Sequence, residues 1–293
     1  MSTTAFRLAL TGLAAGLSLA LFQPAAEAAE GGPRPPSLNW SFSGPLGTYD
    51  RAQLQRGFKV YKEVCAACHG ASLVAFRNLS ERGGPEFTTG QIAALAATYQ
   101  IKDGPNEEGE MFERPGRPAD RFPSPFPNEQ AARAAQGGAY PPDFSVLAKA
   151  RTYTRGFPTF VFDIFTQYQE QGPDYIHALL VGYKDPPAGF PELLPGQHYN
   201  EYMPGHLIAM PPPLSDGQVE YPKGEDGQPQ APETVDQYSR DIAAFMMWMA
   251  EPHLEQRKRI GLQVMGFLII FAFLLYYTKK KVWSRMPDGS PAH

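Results

Sequence analysis

The chain has 293 residues, of which 43% are hydrophobic and 19% charged, and its formal net charge is −4. It holds 30 prolines and 28 glycines but two cysteines, which excludes a scaffold stapled by several disulfides and argues against a basic nucleic-acid-binding surface. No set of alternating strands stands out, so the reading is a mainly α, loop-rich protein.

In chain order, the first feature is Arg7 as the only early charge, an apolar run from Leu8 to Phe22, and Ala26-Glu27-Ala28 ahead of Ala29. This predicts a secretory signal peptide over residues 1–28 with a small-residue cleavage site. The run is short for an uncleaved membrane anchor.

Asp50 comes next, as the N-cap of a helix on which Leu54, Phe58, Tyr61, Cys65 and Cys68 recur at intervals of four, three, four and three. That periodicity puts both thiols on one helical face, with His69 angled to the same side and Gly70 giving the chain a way out. Cys65-Ala66-Ala67-Cys68-His69 uses both cysteines of the chain and is the attachment signature of a c-type haem, with the imidazole as proximal ligand. A zinc site would need four ligands and usually a second Cys/His pair. A thioredoxin-like redox pair would sit in a βαβ pattern and would not need the histidine.

Asp103, Glu107, Glu108, Glu110 and Glu113 then form an acidic cluster among glycines and prolines, either a solvated loop or a docking patch for a basic partner. Asn128 caps a short helix through Ala135 that stops at Gly137-Gly138, and another helix starts near Asp174. The sixth position on an iron could be filled from Met203, His206 or Met210, the last stiffened by Pro211-Pro212-Pro213. His177, His198 and His253 read as surface or hydrogen-bonded residues, and His293 is terminal. Thr234-Val235-Asp236-Gln237 has the form of a capping box opening a helix that runs to Pro252, with Met246, Met247 and Met249 as core fillers.

Ile260 to Thr278 contains no charged side chain and is long enough to cross a ~30 Å hydrocarbon core. Tyr276, Tyr277, Trp283 and the Lys279–Lys281 triplet mark one interface, while Arg257, Lys258 and Arg259 precede the run. Charge alone hardly decides orientation, but the exported N-terminus does. The expected organisation is therefore a signal peptide (1–28), an exported haem domain (29–250), a basic juxtamembrane segment (251–259), a span (260–278) and a cytoplasmic tail (279–293). Residues 1–28 balance Arg7 against Glu27, and residues 251–293 carry seven Lys/Arg against three Asp/Glu, so the exported stretch has a net charge of −8.

Val64-Cys65-Ala66-Ala67-Cys68-His69, Arg121-Phe122-Pro123, Ala131-Ala132-Arg133-Ala134-Ala135, Pro141-Pro142-Asp143-Phe144-Ser145, Tyr202-Met203-Pro204-Gly205-His206 and Ile208-Ala209-Met210-Pro211-Pro212 together resemble the cytochrome c1 family of the cytochrome bc1 complex. So does Ala250-Glu251-Pro252 ahead of the anchor, and the resemblance runs from about Ser41 to Trp283. It implies a class I cytochrome c-like haem domain in which the first and last helices cross, with Gly57 permitting the approach. It also implies one covalently attached haem c on Cys65 and Cys68, axial ligands His69 and Met210, and Arg151 as partner of a haem propionate.

The implied role is to take an electron from the Rieske iron–sulfur protein and pass it to a soluble or membrane-tethered cytochrome c, beside cytochrome b. The implied location is a bacterial inner membrane with the haem domain in the periplasm. The stretch from Thr152 to Gln171 is longer and more aromatic than the family pattern. No nucleophile, base and oxyanion-donor set is present, which predicts an electron-transfer subunit rather than an enzyme on its own. The competing classes are a cytochrome subunit of another oxidase or dehydrogenase, and an open-haem peroxidase or sensor.

Overall fold

The computed structural model describes residues 33–151, 161–162, 171–224 and 227–284. The expected signal peptide, the end of the tail and most of the 152–171 stretch lie outside the described residues. The α-helices are α1 (Arg51–Glu63), α2 (Thr89–Ala97), α3 (Glu129–Ala135), α4 (Leu147–Ala150), α5 (Gln171–Val181), α6 (Val235–Ala250) and α7 (Leu254–Trp283). The described residues also form 3₁₀ turns at Cys65–Ala67 and Phe76–Ser80 and two short antiparallel pairs, β1 (Gln100–Asp103) with β2 (Phe112–Pro115), and β3 (His198–Tyr199) with β4 (Leu207–Ile208).

The framework is the crossing of α1 and α6, and Gly57 is the residue that allows it. A Cβ there would press on the Asp241 carbonyl and come within 2.7 Å of Phe245 Cβ, so a side chain cannot be accommodated without separating the helices. Leu54, Phe58 and Tyr61 of α1 are buried against Ile242, Phe245 and Trp248 of α6. The rings of Phe58 and Phe245 lie 5.7 Å apart.

A polar hub closes the same crossing. The fully buried Asp241 carboxylate accepts hydrogen bonds from Arg56 (2.8 and 3.1 Å), Gln53 (3.1 Å), Gln237 (2.9 Å) and Tyr221 Oη (2.8 Å). Arg56 also stands 5.7 Å over the Tyr221 ring. Burial opposes the Arg56 charge, but the bonds and charge of Asp241 more than offset it and raise its pKa. A charge this deep is tolerated because each oxygen has several donors.

The helix starts follow side-chain chemistry. Asp50 Oδ1 accepts from the amides of Ala52 (2.9 Å) and Gln53 (3.2 Å), and Asn128 Oδ1 from that of Ala131 (2.8 Å). Thr234 caps α6, but Gln237 does not complete a capping box, because its amide is drawn to Asp241 instead. α5 carries Asp174 in the first turn of its described span. Asp174 is fully buried and accepts from Trp40 Nε1 (2.8 Å) and Leu38 N (3.1 Å), clipping the N-terminal strap onto α5. α5 packs on α6 and α4.

The acidic cluster lies on and around the exposed β1–β2 hairpin, where Arg114 pairs with Asp103 (2.5 Å) and Asp120 (2.6 Å). α7 is one continuous helix of 30 residues, about 45 Å long at 1.5 Å per residue. It extends beyond the uncharged 260–278 run at both ends, and its most apolar 18-residue window has a mean hydropathy of 2.1 with none of it buried. Its foot is tied to the domain: Glu255 takes both Arg51 nitrogens (2.8 and 3.0 Å) and the Tyr49 amide (2.9 Å), and Lys258 donates to the Phe42 carbonyl.

Candidate haem-binding site

The α-helix that leads to the motif stops at Glu63, and Cys65–Ala67 is a 3₁₀ turn. This corrects the reading of a single α-helical face that carries both thiols. The amides of Cys68 (3.1 Å) and His69 (2.9 Å) both donate to the Cys65 carbonyl, which winds the motif into a knot. A pitch of three residues per turn brings positions 65 and 68 into register more closely than an α-helix would.

His69 is held on two sides. Its Nδ1 lies 2.8 Å from the Pro142 carbonyl oxygen, which accepts the proton of that nitrogen and leaves Nε2 with its lone pair. The Phe144 ring stacks on the imidazole, with centroids 4.3 Å apart at 27°. Burial lowers the His69 pKa more than the Pro142 bond and the Asp143 charge raise it, so the ring stays neutral. The 142–145 loop is itself laced to 69–73. Phe144 N donates to Gly70 O (2.8 Å), Ser72 N to Asp143 Oδ2 (2.8 Å), and Leu73 N to Ser145 Oγ (3.0 Å).

Burial, with the neighbouring Cys68 as a smaller cause, pushes the Cys65 thiol up to about 12. Gln136 Nε2 lies 3.6 Å from Cys68 Sγ. Among the described residues no three His, Cys, Asp or Glu side chains converge as metal ligands would. Cys65, Cys68 and His69 thus do not assemble the protein-only cage that zinc requires.

The three candidates for a sixth ligand are placed differently. Met203 Sδ is 3.7 Å from Tyr175 Oη, and its carbonyl accepts from His206 N at 2.7 Å. His206, with φ of 60°, has Nδ1 3.2 Å from Asn200 O and its ring stacked on Tyr199. Met210 is anchored by its backbone, since Tyr183 Oη donates to its carbonyl at 3.0 Å, and among the described residues nothing donates to its sulfur. Burial raises the Tyr183 pKa and keeps that phenol a donor.

Asn200 organises the whole segment. Fully buried, it donates to Leu179 O (2.7 Å) and accepts from the amides of Tyr202 (3.0 Å) and Met203 (3.2 Å). Arg151 caps the C-terminus of α4 and is exposed, and its charge partly counters the burial that raises the Tyr175 pKa.

Sequence reasoning missed Tyr183, Asn200 and the Pro142 carbonyl. Tyr183 and Asn200 follow no motif, and a backbone carbonyl leaves no mark on a sequence. The residues present suit a covalently held haem: two thiols on one tight turn, a neutral imidazole with a free nitrogen, and a thioether without a competing donor.

A sequence profile described as the Cytochrome C1 family matches residues 40–286. The chain belongs to the cytochrome c1 family. It is 51% identical over 263 residues to cytochrome c1 of Blastochloris viridis, covering 89% of this chain and 90% of that one. With cytochrome c1 of Rhodospirillum rubrum it shares 42% over 286 residues, covering 92% and 95%. A longer relative, cytochrome b/c1 of Bradyrhizobium diazoefficiens, is 62% identical over 259 residues; the match covers 88% of this chain but 37% of that protein. As a member of this family, the chain is a membrane-anchored haem protein of the bc1 complex. It is an electron-transfer subunit and not a catalyst by itself.

Proposed function

We propose that the chain carries one haem c bonded to Cys65 and Cys68, with His69 and Met210 as axial iron ligands and Arg151 paired with a propionate. The observation that carries this reading is the 2.8 Å bond from His69 Nδ1 to the Pro142 carbonyl, which fixes the tautomer on the turn that bears both cysteines. The haem, when bound, supplies a one-electron redox couple.

The chain's own residues supply placement and tuning. Pro142 and Phe144 hold the imidazole against rotation and keep water from it. Tyr183 and the three prolines after Met210 restrict the thioether segment, so little rearrangement accompanies a change of charge. Met210 as the second iron ligand would favour the reduced state relative to a second histidine.

In this reading the electron comes from the Rieske iron–sulfur protein and leaves to a soluble or membrane-tethered cytochrome c, with cytochrome b as a neighbour. The haem domain faces the periplasm of a bacterial inner membrane, residues 260–278 span it, and residues 279–293 are cytoplasmic after removal of residues 1–28. Intact-mass spectrometry of the processed polypeptide tests the core of this reading. The expected result is a chain beginning at Ala29 with one added porphyrin mass, which a Cys65→Ser/Cys68→Ser variant lacks. A wild-type polypeptide with no porphyrin mass would contradict it.

A further inference from the structure

We propose that the cleft between the haem domain and the foot of α7 binds one anionic phospholipid from the leaflet that faces the domain. The cleft has a volume of about 660 Å³, and its walls come from the loop at Leu46, the turn at Arg82 and the first turns of α7. Its charge is unbalanced. Arg82 and Arg259 are both exposed, and among the described residues neither has a hydrogen-bond or ion-pair partner. The one carboxylate in the lining, Glu255, already takes both Arg51 nitrogens and the Tyr49 amide.

The start of α7 adds to this. Its N-cap residue, His253, lines the cleft and makes no side-chain cap bond, so the N-terminal end of a 30-residue helix borders the same space.

Position selects the class of anion. Arg259 is the last charged residue before the uncharged run, and Leu262 is three residues on, about 4.5 Å deeper along the axis. Leu262 is 48% exposed and Leu46 78% exposed, both on the cleft. A guanidinium at the level of the interface with Leu262 deeper along α7, and a second exposed leucine on the cleft wall, match a phosphodiester with its acyl chains. A free phosphate would use the guanidinium groups and leave the leucines in contact with nothing apolar.

The test uses the complex purified mildly and reconstituted in vesicles that contain a photoreactive phosphatidylglycerol. Peptides bearing Arg82 and Leu262 should be labelled. Labelling should fall about fivefold in Arg82→Gln and again in Arg259→Gln, with the haem absorption spectrum unchanged. In the wild type, unlabelled phosphatidylglycerol should compete and phosphatidylcholine should not, a comparison that needs no variant. Equal competition by phosphatidylcholine, undiminished labelling in the double variant, or displacement by millimolar inorganic phosphate would each overturn the proposal. So would a cleft left unlabelled in the intact complex, which would assign it to a neighbouring subunit.

Discussion

On the histidine side of the site, the amides of Cys68 and His69 close on the Cys65 carbonyl and a single loop, 142–145, is laced to residues 69–73. The methionine side is gathered from further apart, with Tyr175 and Tyr183 at α5 and just beyond it, Asn200 after β3, and Met210 beyond β4. The contrast shows where a rigid ligand can be encoded. Under the proposed ligation, a short motif sets the cysteines and the histidine by spacing, whereas a distant thioether would need hydrogen bonds from several segments to reach the same restraint.

Both sides stand on the crossing of α1 and α6, so damage there should erase the difference between them. Asp241→Ala strips the hub and leaves Arg56 half-buried without its partner, for an expected loss of about 3–5 kcal/mol in unfolding free energy. Denaturant unfolding followed by absorbance at the haem and by helical circular dichroism should shift together. A smaller change should separate the two sides. Asn200→Ala leaves the Leu179 carbonyl and two amides without partners, costing about 1–3 kcal/mol. Carbon monoxide should then bind the reduced protein more readily, with the histidine side intact. The mildest change is Tyr183→Phe, which removes one bond to the Met210 carbonyl, an expected loss of about 1 kcal/mol. It should give a small but measurable rise in carbon monoxide binding and no change in porphyrin mass.

The same contrast decides what could be read from the sequence. Caps at Asp50, Asn128 and Thr234 are local chemistry and were legible, as were the buried Met246, Met247 and Met249, while the α1–α6 contact at Gly57 followed from the family resemblance. The 3₁₀ turn was not legible, since apolar spacing of three and four residues does not distinguish it from a continuing α-helix. The half-formed capping box at Gln237 was not legible either, because its amide goes to Asp241, a buried carboxylate that also gathers donors from distant segments. Asp241 bonds Gln53 across 188 residues and Asp174 bonds Trp40 across 134, and no periodicity records such pairs. His177, read as surface or hydrogen-bonded, is buried with Nε2 2.8 Å from Asp236.

The most direct test of the site is the reduction potential and carbon monoxide affinity of Met210→Leu beside those of Met203→Leu. The account predicts a lowered potential and ready carbon monoxide binding in the first, and near wild-type values in the second. An unchanged potential and spectrum in Met210→Leu, with the change appearing in Met203→Leu, would contradict the ligand assignment.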